Sequence, residues 1–288
     1  MKNWISKLAV VLFILPTLLF ADSGNTNPKS KTVPPLSVQL WSVRDFIEKD
    51  FEGTLRRIAE MGFDGVELAG KFGRFADDPE GLKQFLASIG LVASGGHVSF
   101  EQLNPDNIHE TLLFYKTLDV DLIIIPWDSR AWDPEKVHEM TEELTRLAPV
   151  VKKYGMSVGF HNHEKEFNEF KGTTFWDYIA QNTPDDVLLQ LDVGWVNYAG
   201  KDSIEYVKRY PGRTLTTHYK IRTHEGSGDS PIIGDNGYHW DKLVEANIEY
   251  GGTRWIVVEQ EEYPDGLSSM QSVEKSLAGL KKYLRKIK

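Results

Sequence analysis

The chain contains no cysteine among its 288 residues. Disulfides, thiolate nucleophiles and thiolate metal ligands are therefore all excluded. Any metal ion that it binds must be held by imidazole nitrogens and carboxylate oxygens. An excess of positive charge is also lacking, since 33 Lys and Arg stand against 42 Asp and Glu and give a net charge of −9. Nucleic-acid binding normally requires a basic face, so the sequence predicts no nucleic-acid partner.

The chain also lacks an apolar run of the ~20 residues that a comfortable membrane span needs. Its most apolar stretch, residues 8–20, is shorter, follows a segment with two lysines, and ends just before Ala21. This pattern predicts a signal peptide at residues 1–21 and an exported protein, periplasmic or secreted, with no stable membrane span after cleavage. The alternative is an uncleaved single-helix anchor. Residues 22–35, rich in Ser, Asn, Lys and Pro, are predicted to form a disordered linker.

From residue 36 onward, short apolar segments alternate with longer amphipathic segments. The longer segments repeat apolar residues every three or four positions, as at Val137, Met140 and Leu144, which is typical of helices that pack on a sheet. The alternation predicts parallel strands joined by crossover helices. Eight strands are predicted, at residues 37–43, 65–69, 92–98, 122–127, 157–163, 187–195, 215–221 and 254–260.

Eight such units suit either a closed barrel or an open, doubly wound sheet. The open sheet usually carries a G-x-G-x-x-G phosphate loop after its first strand. This chain has Trp41-Ser42-Val43-Arg44-Asp45 at that position, without the glycines. We therefore predict an α/β fold, a single-domain (β/α)8 TIM barrel over residues 36–288, which is close to the usual length of about 250 residues.

In a TIM barrel the active site lies at the C-terminal ends of the strands. Metal-binding side chains lie near the ends of four consecutive predicted strands: His161 or its neighbour His163, then Asp192, His218 and Glu259. Each alone could be a structural hydrogen-bonding group, a turn cap or half of an ion pair. Together they predict one divalent metal ion with open positions for substrate, Mn²⁺ by preference, with Zn²⁺, Co²⁺ or Fe²⁺ as alternatives.

Other polar and aromatic residues near the strand ends are candidates for substrate contact, with ordinary packing at the barrel rim as the alternative. An aromatic ring offers a flat apolar face to the C–H surface of a sugar. Trp127 and Tyr263 are aromatic residues near strand ends that could stack on a sugar in this way. The predicted substrate-binding residues are Gln39, Trp41, Glu67, His97, His163, Trp195 and Arg222.

Five segments carry a family resemblance: residues 38–45, 65–68, 161–167, 191–195 and 258–260. In them the sequence resembles the sugar phosphate isomerase/epimerase superfamily, the xylose-isomerase-like barrels that include ketose 3-epimerases, inosose dehydratase and endonuclease IV. The resemblance covers nearly all of residues 36–285 and is specific for the superfamily rather than for a substrate. The endonuclease branch requires more metal-binding residues and a basic surface, and neither is evident here.

In the ketose epimerases of this superfamily, the metal is held by a Glu, an Asp, a His and a second Glu, and the two glutamates move protons on either face of the sugar. Asp192, His218 and Glu259 match this pattern by position, whereas His161 stands at or next to the place of the first Glu. A metal-bound imidazole cannot act as a base in the way a carboxylate can. The second acid or base would then be Glu166, His163 or Lys220.

A second departure lies in the seventh strand, where relatives often have His-x-Lys-Asp. This chain has Ile221 in place of the Asp and then Arg222. The change indicates a different substrate or a different hydrogen-bond partner for Lys220.

The resemblance implies a divalent-metal-dependent sugar isomerase or epimerase that removes a proton next to a carbonyl and forms an enediolate. The predicted catalytic residues are Glu259, Glu166 and Lys220. Expulsion of a β-leaving group after the same first step would instead give a lyase, dehydratase or hydrolase-type enzyme on a keto-sugar such as a 3-keto-glycoside. The alternative of another class is a non-catalytic periplasmic sugar-binding protein. The expected partner is a small sugar or keto-sugar, and a homodimer is left open.

Overall fold

The computed structural model describes residues 32–264 and 266–287. Eight parallel strands pair side by side until the last meets the first, where Val38 of the first strand stands opposite Val258 of the last. This closed arrangement confirms the predicted single-domain (β/α)8 barrel. The strands are β1 (Leu36–Gln39), β2 (Gly65–Leu68), β3 (Val92–His97), β4 (Leu122–Ile125), β5 (Ser157–His161), β6 (Leu188–Asp192), β7 (Thr216–Tyr219) and β8 (Trp255–Val258).

Helices connect successive strands and cover the outside of the barrel. The α-helices are α1 (Arg44–Ile47), α2 (Phe51–Met61), α3 (Pro79–Ser88), α4 (Ile108–Thr117), α5 (Val137–Lys152), α6 (Phe175–Gln181), α7 (Val193–Tyr198), α8 (Ser203–Arg209), α9 (Trp240–Ala246) and α10 (Ser269–Leu284). Short 3-10 helices occupy Leu40–Val43, Gly73–Phe75, Glu101–Leu103, Ser129–Trp132 and Lys165–Phe167, and a π-helix occupies Asn247–Gly251.

Helix α2 shows how the sequence sets these elements. The Asp50 side chain accepts a hydrogen bond from the backbone N–H of Gly53 and so caps the start of the helix. Leu55 and Ile58, three positions apart, are fully buried against the barrel. The helix ends at Gly62, whose φ of 85° lies in the left-handed region that glycine adopts without strain.

The interior of the barrel divides into an apolar lower layer and a polar upper layer. Side chains alternate between the two faces of a strand, so every second residue points inward. Leu122, Ile124 and Leu188 form a buried cluster that is separate from the main core, against Leu215 and Trp255 near the N-terminal strand ends. The inward positions nearer the C-terminal ends carry polar groups, and these build the site described below.

Each predicted strand runs past the observed carboxyl end, and two of these overruns are helices. Leu40–Val43 is a 3-10 helix rather than part of β1, and α7 begins directly after β6. In both cases the last strand residue caps the helix, because Gln39 accepts a hydrogen bond from the backbone N–H of Trp41 and Asp192 accepts one from that of Trp195. The polar residues that end the two observed strands therefore also start the next element.

A two-stranded antiparallel hairpin between β5 and α6 was not predicted. Glu169–Phe170 pairs with Thr173–Thr174, and Lys171 and Gly172 at the turn have φ values of 51° and 81°. Two positive φ angles are typical of a type I′ turn, which usually carries Asn-Gly or Asp-Gly. Lys-Gly is a weaker signal, which explains the omission.

The predicted signal peptide, residues 1–21, and most of the predicted linker, residues 22–35, lie outside the described residues. Residues 32–35 have no regular secondary structure. Within the described ranges, no helix is both long enough and apolar enough to span a bilayer. The exported location therefore stays a prediction.

Candidate metal centre and active site

Four buried side chains from β5 to β8 meet at the C-terminal end of the barrel. One nitrogen or oxygen atom from each lies within 4.8 Å of the others, and the residues are the four predicted ligands His161, Asp192, His218 and Glu259. Asp192 Oδ2 is 3.8 Å from His161 Nε2 and 4.0 Å from His218 Nδ1, and Glu259 Oε2 is 3.0 Å from the same His218 nitrogen. The fold thus brings together all four residues from separate strands.

The donor atoms fit a divalent metal ion. Asp192 Oδ1 accepts a hydrogen bond from the backbone of Trp195, whereas the buried Oδ2 has no hydrogen-bond partner among the described residues. Oδ2 forms an ion pair with Lys220 Nζ at 3.2 Å but accepts no hydrogen bond from the described residues, so it remains able to bind a metal ion between the four residues. Two imidazoles and two carboxylates suit Mn²⁺, Fe²⁺, Co²⁺ or Zn²⁺.

A carboxylate beneath the four residues orients His218. Glu67 Oε1 is 2.6 Å from His218 Nε2, and Glu67 also accepts hydrogen bonds of 2.7 Å from the amides of Gln39 and Gln190. The ring therefore presents Nε2 to Glu67 and Nδ1 to Glu259 and Asp192. Carboxylates that hold the remote nitrogen of a metal-binding histidine in this way fix its orientation and raise its basicity.

Gln190 orients the other imidazole. Because its amide nitrogen donates to Glu67, its oxygen Oε1 faces His161 and accepts a hydrogen bond of 3.0 Å from Nδ1. The proton of the neutral ring is then on Nδ1, which leaves the Nε2 lone pair free on the side of Asp192. Burial, followed by the positive charge of His218, holds the pKa of His161 well below its ordinary value, so this ring is neutral.

His218 lies between two carboxylates, and its pKa reflects them. Burial lowers that pKa, but the negative charges of Glu67 and Glu259 outweigh burial and raise the pKa to about 10. Burial raises the pKa of Glu67, but His218 and His97 lower it more, so that it falls below the usual range. Burial also raises the pKa of Glu259, but Lys220 and His218 lower it more. A metal ion at Nδ1 would have to displace the proton that His218 carries there.

Lys220 is the buried cation of the site, with 2% of its side chain exposed. Its Nζ lies 3.2 Å from Asp192 Oδ2, 3.2 Å from Glu259 Oε2, and in contact with the carboxylate of Glu261. Burial lowers the pKa of Lys220, but the three carboxylates raise it more, so the ammonium stays charged. The charged ammonium is therefore hydrogen-bonded to Glu259.

Two further candidates for acid or base are neutral near pH 7. Burial and the charge of Lys220 lower the pKa of His163 to about 4, and its Nδ1 has no hydrogen-bond partner. Burial raises the pKa of Glu166 to about 8. Glu166 Oε2 accepts a hydrogen bond from the backbone of His163, and Oε1 is buried without a partner.

A cavity of about 450 Å³ opens above the four residues. Its lining includes Trp41, His97 and His163 of the predicted substrate contacts, together with His161, Lys220 and Glu259. The other predicted contacts and Glu166 lie outside this lining. Gln39 and Glu67 are fully buried below it. Arg222 stacks on the Trp195 ring at 4.6 Å and pairs with Glu262 beside it.

Three residues of the site were missed from the sequence. Gln190 precedes Asp192 by two positions and Glu261 follows Glu259 by two, so strand alternation could have identified both. Asn162 had no such signal. Its amide exchanges two hydrogen bonds, of 2.9 and 3.1 Å, with the backbone of Asp192 and joins β5 to β6 at the site.

Comparisons with known proteins agree with this architecture. The family model of the xylose isomerase-like TIM barrel matches residues 55–283. Inosose dehydratase from Lacticaseibacillus casei is 25% identical over 276 residues, covering 82% of this chain and 89% of the relative. The rhizopine catabolism protein MocC from Rhizobium meliloti is 25% identical over 250 residues, covering 74% and 75%. The crystal structure of a sugar phosphate isomerase/epimerase from Parabacteroides distasonis superposes with a TM-score of 0.69 at 25% identity, covering 86% of this chain and 93% of that one.

Proposed function

Since the chain belongs to the xylose isomerase-like TIM barrel family, we propose that it is a metal-dependent lyase that expels a β-leaving group from a keto-sugar or a closely related keto-polyol. The relatives named inosose dehydratase support an elimination. The neighbour named sugar phosphate isomerase/epimerase supports the second candidate, an isomerase or epimerase. Both reactions begin by removing a proton next to a carbonyl.

The hydrogen-bonded pair of Glu259 and Lys220 in the lining of the cavity is the observation that favours elimination. Epimerisation by the two-glutamate route requires proton transfer on both faces of the sugar. Here a neutral imidazole, His161, stands at or next to the place where the resemblance puts the first Glu. Elimination requires only that a proton move from carbon to the leaving oxygen, which one acid–base pair can perform.

The divalent ion would be held by His161, Asp192, His218 and Glu259, with Mn²⁺ preferred. When bound, it supplies Lewis-acid polarisation of the substrate carbonyl. Glu67 and Gln190 keep the two imidazoles turned so that one nitrogen of each faces the centre. We assign both to positioning rather than to substrate contact.

The reaction moves one proton through the pair. The Glu259 carboxylate takes the proton from the carbon next to the carbonyl, and the C–H electrons move towards the carbonyl to form an enolate. The enolate then forms a C=C double bond as the C–O bond of the leaving group breaks. Lys220 gives a proton to the departing oxygen. Once Glu259 is protonated, its charge no longer raises the pKa of Lys220, so the ammonium becomes a better acid. Proton transfer along the 3.2 Å hydrogen bond then restores both groups.

His163 completes the lining on the other side. It is neutral at pH 7 and lines the cavity, so it can contact the substrate without adding a charge.

Because residues 1–21 have the pattern of a signal peptide, we also propose that the enzyme is periplasmic or secreted. Mass spectrometry of the native protein from cell fractions tests this, and a cytoplasmic protein with residues 1–21 intact would contradict it.

Two substitutions separate the proposed steps. The assay uses Mn²⁺-loaded protein and a methyl 3-keto-glucoside in D₂O, with mass spectrometry of substrate and product. Glu259→Gln should abolish both deuterium uptake next to the carbonyl and release of methanol. Lys220→Met should keep deuterium uptake but slow methanol release by about 100-fold, the usual contribution of a general acid. Lys242→Met, an exposed lysine, is the matched control.

Other results would change the assignment. Near-normal turnover by Glu259→Gln would remove its role as the base, and equal loss of both signals in Lys220→Met would make Lys220 a structural support. Deuterium uptake and a new epimer without methanol would identify an epimerase. Sugar binding by the metal-loaded protein with no deuterium uptake across keto-sugars would identify a non-catalytic binding protein.

A further inference from the structure

Two tryptophans stand half-exposed over the catalytic cavity. Trp41 is 47% exposed and Trp127 is 58% exposed, and both line the cavity that contains Glu259 and Lys220. Isolated exposed apolar residues are common and need no explanation. Two indoles on one cavity, from the ends of β1 and β4, are more informative because the two strands approach it from different sides.

Neighbouring residues hold both indoles. The Arg44 guanidinium lies 4.6 Å from the centre of the Trp41 ring and donates a 2.9 Å hydrogen bond to the Trp41 carbonyl. The Trp127 ring meets Trp132 edge-on, with ring centres 5.6 Å apart. Supported rings lose little conformational freedom when a ligand packs on them, which favours binding.

The cavity is polar at its floor and apolar at its rim. The floor carries His161, Lys220 and Glu259, whereas the rim carries the two indoles and Pro126. A ligand that fits both has a polar part in the floor and a ring with an apolar face at the rim. A volume of about 450 Å³ falls in the range of about 300–1,000 Å³ of pockets that enclose drug-sized ligands, so a second ring has room.

We propose that the leaving group is a ring-bearing alcohol, a phenol or a second sugar, that packs on Trp41 and Trp127. The substrate of the lyase would then be a keto-glycoside. This inference rests on the proposed function and adds the class of leaving group. It goes beyond the loss of water that the name dehydratase describes for a relative.

The reaction of a 3-keto-glycoside balances without an oxidant or reductant. Glu259 takes the proton from C2, the C2–H electrons form the C1=C2 double bond, and the bond from C1 to the glycosidic oxygen breaks. The oxygen leaves with that electron pair and takes one proton from Lys220. The products are a free ring-bearing alcohol and an unsaturated 3-keto-sugar.

The test compares 3-keto-glucosides whose leaving group is methanol, phenol or glucose. Phenol leaves more readily than methanol on chemical grounds alone, so the informative quantity is the kcat/KM ratio to the methyl substrate in each variant, divided by that in the wild type. For a ring-bearing substrate, we expect this quotient to fall about tenfold below one in Trp127→Ala. We expect it to fall below one in Trp41→Ala as well. Trp127→Phe should retain most of it.

Tyr250→Ala is the matched control, because Tyr250 is 38% exposed and lies outside the cavity lining. Its quotients should equal one. A loss confined to the phenyl substrate would identify a phenol as the leaving group, and a loss confined to the glucosyl substrate would identify a second sugar. Quotients of one in both tryptophan variants, with all three substrates cleaved by the wild type, would overturn the inference and leave the proposed lyase standing.

A binding measurement keeps the two proposals separable. Phenyl and methyl glucosides lack the ketone and do not react. The difference between their affinities, measured by calorimetry, reports on contacts at the rim. We expect the Mn²⁺-loaded wild type to bind the phenyl glucoside more tightly, and Trp127→Ala to lose this difference. If no substrate is cleaved, the proposed function fails, and calorimetry still tests whether the two tryptophans bind a ring. Equal binding of both glucosides by the wild type would overturn that inference.

Discussion

His218 illustrates how single residues acquire a defined chemistry in this site. Its Nε2 faces Glu67 at 2.6 Å and its Nδ1 faces Glu259 at 3.0 Å. The sequence identified the histidine from its place at a strand end. It could not identify which nitrogen faces the centre, because that depends on a carboxylate 151 positions away in the chain. Glu67 was predicted to contact substrate, and the structure places it below the cavity.

The pair of Glu259 and Lys220 could be predicted only in part. Strand alternation places both on the inner face, since each lies an even number of residues from another inward residue of its own strand. The choice of partner depends on packing between β7 and β8, and Lys220 contacts three carboxylates at once. Such contacts have no local sequence signal.

Glu166 gives a prediction about stability and pH. Its pKa is about 8 in the folded protein, raised by burial, against an ordinary value of 4.5. Below pH 4.5 the group is protonated in both states and has no effect on stability. Between 4.5 and 8 only the unfolded chain ionises, so unfolding releases a proton and the free energy of unfolding falls as pH rises. From pH 5 to pH 8 the loss should be about 3 kcal/mol.

The measurement is urea unfolding of the wild type and of Glu166→Gln at both pH values with the same metal present. The variant lacks the ionisable group, so its stability relative to the wild type should rise towards pH 8. Parallel pH dependence of the two proteins would show that Glu166 ionises in the folded state as it does in the unfolded chain.

At the scale of elements, the strand ends show why boundaries were the weakest part of the sequence analysis. Gln39 and Asp192 each close a strand and cap the following helix. In the sequence, Leu40, Val43 and Val193 are apolar, so the pattern of apolar and polar residues predicts that each strand continues through them. The capping hydrogen bonds turn the chain, and they follow from the side chains only once the strand end is known.

Helix α10 supports a prediction at this scale. Ser268 and Gln271 form a capping box, with hydrogen bonds of 2.9 Å from the Ser268 backbone to the Gln271 side chain and 3.2 Å in return. The helix buries Val273, Leu277 and Leu280 against the barrel. Ser268→Ala should lower the free energy of unfolding by about 1 kcal/mol, because it leaves the backbone N–H of Gln271 without its acceptor.

Denaturant unfolding measures this change, and Ser268→Asp is the control because aspartate also caps helices well. The control should keep wild-type stability. Both variants should keep wild-type turnover, since Ser268 lies outside the lining of the catalytic cavity. Equal destabilisation by Ala and Asp would show that packing, rather than the cap, accounts for the loss.

At the scale of the whole molecule, eight alternating strand and helix segments, together with the absence of a G-x-G-x-x-G loop after the first strand, predicted the barrel. The alternation of side chains along each strand explains the layered interior, in which Leu122, Ile124 and Leu188 fill the lower part and the polar groups collect above. Closure between β1 and β8 and the hairpin after β5 depend on contacts between distant segments or on a turn with a weak signal.

The central claim is that this barrel is a metal-dependent lyase on a keto-sugar. The most direct test is mass spectrometry of a 3-keto-glucoside incubated in D₂O with the wild-type protein, once loaded with Mn²⁺ and once stripped with a chelator. We expect the loaded protein to release the alcohol and an unsaturated keto-sugar, and stripping to slow this release by at least about 100-fold. A loaded protein that yields only a deuterated epimer with its alcohol still attached, or a stripped protein that is equally active, would contradict it.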